Sequence, residues 1–157
     1  NKKIMQPDII LKYKFLQPSM CRKLIGLFNG TAFLKMKHGE NKEFIDLTDR
    51  NFFNEYFDPI QKQCEEMVGY SMDWWQIQKS YRGNSMKKHH DDAKVRTTFS
   101  GVIYLNDGFE GGQTFFEDGT IIEPVAGKAL FFDGKNLMHG VNQHTKGDRY
   151  IIACWFK

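Results

Sequence analysis

Three residues of this chain, His89, Asp91 and His139, have the types and spacing to hold a metal. Two neutral imidazoles and one carboxylate grip one side of a divalent iron and leave three positions open. Two open positions suit a bidentate co-substrate, and the third suits oxygen. Arg149 follows His139 by ten residues, and its planar fork accepts a carboxylate through two hydrogen bonds. Residues 86–92 also contain a second His-x-Asp, His90 with Asp92, and strand alternation lets only one of the two registers face inward. Plainer readings exist for both features: a solvated polar loop for residues 86–92, and a surface ion pair with Asp148 for Arg149.

Placing such a site needs rigid elements, and the pattern supplies strands. From Gly69 onward the chain keeps a period of two, with strands expected over residues 74–81, 95–105, 113–116, 120–122, 129–132, 137–141 and 150–156. Gly- and Asp-rich turns such as Asn106-Asp107-Gly108 and Glu117-Asp118-Gly119 separate them. The first part is mixed. A strand is expected over 9–15, a helix from Pro18 to Asn29-Gly30, and two short strands over 31–37 and 43–47 around a turn at His38. A second helix is expected over 52–68, with Pro59 marking either its first turn or a kink. The expected fold is mainly β with flanking helices: a double-stranded β-helix (jelly roll) with the N-terminal helices packed on one sheet. We expect one domain over 1–157, with a helix-containing support region (1–70) and a jelly-roll core (71–157).

Composition narrows the function classes. The chain has 157 residues, 41% hydrophobic and 15% aromatic, enough for a sizeable core. Net charge is +3, from 22 basic and 19 acidic residues, which is too balanced to argue for a nucleic-acid partner. Cys21, Cys64 and Cys154 are far apart and form no CxxC pair, so buried free thiols in a reducing, cytoplasm-like compartment are expected. No apolar stretch reaches membrane-spanning length and no signal peptide is visible, although Asn1 in place of Met suggests a trimmed start.

From Trp75 to its end the chain resembles the prolyl 4-hydroxylase family of iron(II)- and 2-oxoglutarate-dependent oxygenases. Gly83, Met86, His89 and Asp91 follow that family's cadence, which selects the first register over His90 and Asp92. Arg96 precedes Val102-Ile103-Tyr104-Leu105-Asn106, and Gly111-Gly112-Gln113-Thr114-Phe115-Phe116 follows. Gly127-Lys128-Ala129-Leu130-Phe131-Phe132 then precedes His139, with Arg149 and Trp155 at matching intervals. The chain departs from the family at two points. Tyr81 is displaced by one residue, with Ser80 in its place, and Ile103 stands where some relatives carry Tyr.

The resemblance implies a dioxygenase that uses Fe(II), 2-oxoglutarate and O2, and it admits ascorbate. Succinate and carbon dioxide are the implied co-products. His89, Asp91 and His139 are the implied metal ligands. Arg149, Tyr81 and Thr114 are the implied co-substrate contacts, and Arg96 and Trp155 the implied substrate contacts. The implied partner is a peptide or protein containing proline, with no nucleic acid and no membrane. Lysyl residues, free amino acids and small molecules are alternative substrates for the same chemistry. Two other classes remain: a non-catalytic metal-binding jelly roll, and a cupin-type enzyme recruiting His144. Arg149 speaks against the first, since a structural metal site needs no carboxylate clamp. A solvent-exposed position for His144, in the turn 143–147, is expected and speaks against the second.

Overall fold

The computed structural model describes residues 8–91 and 97–157. In chain order these form β1 (Ile9–Lys12), α1 (Pro18–Gly30), a 3-10 turn (Ala32–Leu34), β2 (Met36–Lys37), β3 (Lys42–Asp46) and α2 (Asn54–Val68). Then follow β4 (Met72–Ser80), β5 (Met86–His89), β6 (Phe99–Tyr104), β7 (Thr114–Phe116), β8 (Ile121–Ile122), β9 (Ala129–Phe132), β10 (His139–Val141) and β11 (Arg149–Phe156). A seven-stranded sheet has the order β1-β9-β6-β11-β4-β3-β2, and a four-stranded sheet the order β5-β10-β7-β8. Every pairing is antiparallel. This is the jelly roll expected from the strand spacing.

Period two divides the large sheet into two chemically different faces. Trp75 and Ile77 of β4, Ile103 of β6 and Ile152, Cys154 and Phe156 of β11 turn toward the helices. There they meet Cys21, Leu24 and Phe28 of α1 and Phe57, Ile60, Cys64 and Val68 of α2, both sets spaced to form one helical stripe. A fully buried Leu, Phe or Ile contributes roughly 1.5–3 kcal/mol. Most such residues lie on this side, so it carries the stability and leaves the opposite face free to hold polar groups. That inner face meets the small sheet through a smaller cluster, in which Tyr104, Leu130, Phe132 and Ile151 pack with Phe116 and Ile122.

The structure differs from expectation in several local places. Part of the expected strand over 31–37 is the 3-10 turn, and β10 begins at His139 rather than at residue 137. α2 does not begin at Pro59, which lies inside the helix. It begins at Asn54 because Phe53, in the left-handed region, offers its carbonyl to the N–H groups of Tyr56 and Phe57. Pro59 lies on its exposed side. β5 was not among the expected strands, since its Met-Lys-Lys-His sequence has no apolar alternation. The start of the expected strand over 95–105 lies outside the described residues. All three cysteines are buried and free, and no described helix is long and apolar enough to cross a membrane.

Candidate active site

His89 closes β5 and His139 opens β10, and the two are direct cross-strand partners. Their side chains therefore share one face of the small sheet, with ring centroids 4.5 Å apart. Asp91 lies just past β5, where its N–H donates to the Gly134 carbonyl at 2.8 Å. That bond turns the carboxylate back, placing Oδ1 3.4 Å from His89 Nε2 and 3.3 Å from His139 Nε2. Each histidine donates its Nδ1–H to the carbonyl two residues earlier, Lys87 for His89 and Leu137 for His139, both at 2.7 Å. Those bonds point Nε2 of each ring at Asp91 Oδ1 and make it, once deprotonated, the nitrogen a metal would take. Adjacent donors on a six-coordinate ion are about 3 Å apart, close to the two carboxylate–imidazole distances, and all three donor atoms lie within 4.8 Å of one another.

The carboxylate is held in its charged form. Burial alone would raise the Asp91 pKa, but hydrogen bonding and charge from His139, the Ser100 hydroxyl and the nearby His89 outweigh it, and the net shift is downward. Gly134 makes this geometry possible, because a Cβ there would overlap both Ser100 Oγ and Asp91 Oδ2. His90, one residue out of register, is exposed, and Asp92 lies outside the described residues. Among the described residues, His89, Asp91 and His139 form the one group of three or more His, Cys, Asp or Glu side chains able to share a metal.

The three groups open into a cavity of about 260 Å³ between the sheets, which Arg149 also lines. Arg149 is 3% exposed, and its Nε and Nη2 have no hydrogen-bond partner. Burial lowers its pKa against a weaker opposing pull from Tyr104, whose ring centroid lies 5.8 Å from the guanidinium carbon. A buried guanidinium with free donors is costly until an anion fills the space. The Gly-Gly-x-Thr turn shapes that space. Gly112, at φ +69°, leaves room for the stem of Arg149, which a Cβ would approach to 3.0 Å. Two residues on, Thr114 enters the cavity and shares a 2.5 Å hydrogen bond with Tyr104.

His89, Asp91, His139, Arg149, Thr114 and Trp155 thus line one cavity. Trp155 stacks on Trp74 with centroids 4.4 Å apart and planes inclined by 16°. The expectation for Tyr81 needs correction. Its hydroxyl donates to Glu43, and Ser80, on the opposite face of the strand, lines the cavity instead. His144 also needs correction: it is 1% exposed rather than a solvated loop residue, and neither ring nitrogen has a partner. Arg96 lies outside the described residues. Lys42, Ser80, Gln76, Gln78 and Ser100 were missed by sequence reasoning. Alternation along residues 74–81 was the available signal for those on β4, while Lys42 depends on strand pairing that no local pattern reveals.

The family model described as the 2OG-Fe(II) oxygenase superfamily matches residues 75–157, more than half of the chain. The chain belongs to that superfamily. Its name states the Fe(II) and 2-oxoglutarate that the triad and Arg149 fit, and O2 is the remaining reactant of an oxygenase. Within the superfamily, the chain is 38% identical over 65 residues to prolyl 3-hydroxylase 1 of Gallus gallus. That match covers 37% of this chain and only 9% of the relative's length. Two solved structures share the fold. The viral collagen prolyl hydroxylase of Paramecium Bursaria Chlorella virus-1 superposes with a TM-score of 0.75 at 20% identity, over 95% of this chain and 94% of that one. A Pseudomonas putida prolyl-4-hydroxylase gives 0.71 at 21% identity, over 96% and 92%.

Proposed function

We propose that this chain is an Fe(II)- and 2-oxoglutarate-dependent dioxygenase that hydroxylates proline within a peptide or protein. The observation that carries the oxygenase reading is Arg149, a buried guanidinium with free donors in the same cavity as a His-Asp-His set. The family match and the prolyl hydroxylases among its relatives support the proline assignment. One oxygenase domain over 1–157, with a support region (1–70) and a core (71–157), belongs to the same proposal. So does a reducing compartment, which three free thiols favour.

In this reading His89 Nε2, Asp91 Oδ1 and His139 Nε2 hold the iron, and the Lys87 and Leu137 carbonyls keep both rings oriented. Arg149 takes the distal carboxylate of 2-oxoglutarate, with Thr114 beside it. The chemistry such a metal and co-substrate would supply is an oxidation that consumes O2, releases succinate and carbon dioxide, and leaves a hydroxyl on the substrate carbon. The protein's part is positioning and exclusion of water. Val102, Val141, Ile151 and Ala153 keep the walls apolar. The stacked Trp74 and Trp155 give the cavity a flat aromatic wall, suited to the face of a proline ring.

Incubation with Fe(II), 2-oxoglutarate and a panel of proline-rich peptides tests this reading through succinate release and a peptide mass gain of one oxygen. Both signals are expected on at least one proline peptide, with fragmentation placing the oxygen on proline. Turnover confined to lysyl peptides or free amino acids would contradict the proline assignment and leave the oxygenase chemistry standing.

A further inference from the structure

Lys42 of β3 is the cross-strand partner of Ser80 of β4, and Ser80 is the partner of Arg149 of β11. Directly paired residues place their Cβ atoms about 4.5–5.5 Å apart on one face. Lys42, Ser80 and Arg149 therefore form a single lateral row, cation-hydroxyl-cation, and all three line the cavity. The acid next to Lys42 does not answer it: alternation sends Glu43 to the other face, where it accepts from Tyr81. No described carboxylate pairs with Lys42 or Arg149. The Ser80 hydroxyl is buried without a partner, as are Nε and Nη2 of Arg149. Two like charges and an orphaned hydroxyl in one row are costly alone and become favourable around an anion.

We propose that Lys42 is a second cationic ligand for the distal carboxylate of the co-substrate, closing a clamp with Arg149 across the Ser80 hydroxyl. This rests on the 2-oxoglutarate reading above and adds a residue to it from the N-terminal part of the chain, outside the span of the family match. Burial first, and the Arg149 charge second, lower the Lys42 pKa, and a carboxylate between the two cations would oppose both effects. The clamp also sets specificity. A distal carboxylate satisfies both cations, whereas a neutral distal amide satisfies neither charge.

Calorimetric titration of the Fe(II)-loaded protein without oxygen tests the clamp, using 2-oxoglutarate and its distal amide, 2-oxoglutaramate. One charge-assisted hydrogen bond is worth about tenfold or more in affinity. Lys42→Met is therefore expected to weaken 2-oxoglutarate about tenfold and to shrink the preference over the amide by about the same factor. Lys42→Arg, which keeps the charge, is expected to stay within about threefold of wild type. If Lys42→Met melts early, Lys42→Gln carries the same expectation. Affinity and preference within twofold of wild type in the folded neutral variant overturn the clamp, and so does an equal loss in Lys42→Arg, which would point to packing rather than charge. Failure of the wild type to bind 2-oxoglutarate overturns the underlying reading, a result distinguishable from loss of the clamp alone.

Discussion

At the scale of single residues, the site depends on one-residue choices of direction. His89 faces His139 across the β5–β10 ladder while His90 is exposed. We expect His89→Ala, Asp91→Ala and His139→Ala each to abolish stoichiometric Fe(II) binding, and His90→Ala to bind like wild type. Anaerobic equilibrium dialysis measures this, and iron loss in His90→Ala with retention in His89→Ala would reverse the assignment. His144 permits a pH prediction. Its burial, and after that the Arg149 charge, lower its pKa from 6.5. Below that value the unfolded chain takes up a proton that the folded one resists, so stability is full above about pH 6.5 and declines as pH falls toward the folded pKa. In the presence of a chelator, the thermal midpoint of His144→Gln should fall less between pH 7 and pH 5 than that of wild type; parallel curves would contradict this. The grouping of His89, Asp91, His139 and Arg149 around one cavity was legible in the sequence because His-x-Asp and the interval from His139 to Arg149 are short-range patterns. The burial of His144 and the outward turn of Tyr81 were not, since both depend on neighbours supplied by other strands.

Among the elements, strand pairing does the positioning. β11 delivers Arg149 and Trp155 to the cavity while sending Ile152, Cys154 and Phe156 to the helices, and β4 does the same with Ser80 and Ile77. This division was readable as period-two alternation, as were most strands of the core. β5 was not, because a strand bearing Lys87, Lys88 and His89 takes its place from pairing with β10 rather than from apolar alternation. The turn after β9 has a specific duty: Gly134 lets Asp91 and Ser100 meet. Gly134→Ala should push the carboxylate aside and weaken Fe(II) binding at least about tenfold, the cost of roughly one charged hydrogen bond, while far-ultraviolet dichroism stays native. Unchanged iron affinity would show that Asp91 is not held by this contact.

For the whole molecule, stability and chemistry occupy opposite faces of one sheet. The helix-facing core is apolar and dense, and the inner face can therefore carry Gln76, Gln78, Ser80 and Arg149 in a cavity. That division makes the fold a receptor whose stability is linked to its ligands. Fe(II) at about a hundredfold over its dissociation constant should add roughly 2.7 kcal/mol, and 2-oxoglutarate at the same excess about as much again, together a rise of about 11–22 °C in Tm for a chain of this size. Differential scanning fluorimetry with and without both ligands checks it, and an unshifted midpoint at saturating ligand would argue against a built site. The jelly-roll class was visible from the number and spacing of short strands. The Lys42–Ser80–Arg149 row was not, because it joins three distant segments through pairing alone. The most direct test of the central claim is anaerobic titration of the protein with Fe(II) and then 2-oxoglutarate, following the visible charge-transfer band of the chelate. The band should saturate at one equivalent of iron in wild type and be absent in His139→Ala. A wild-type protein that binds both ligands' concentrations without any band would contradict an Fe(II)/2-oxoglutarate site.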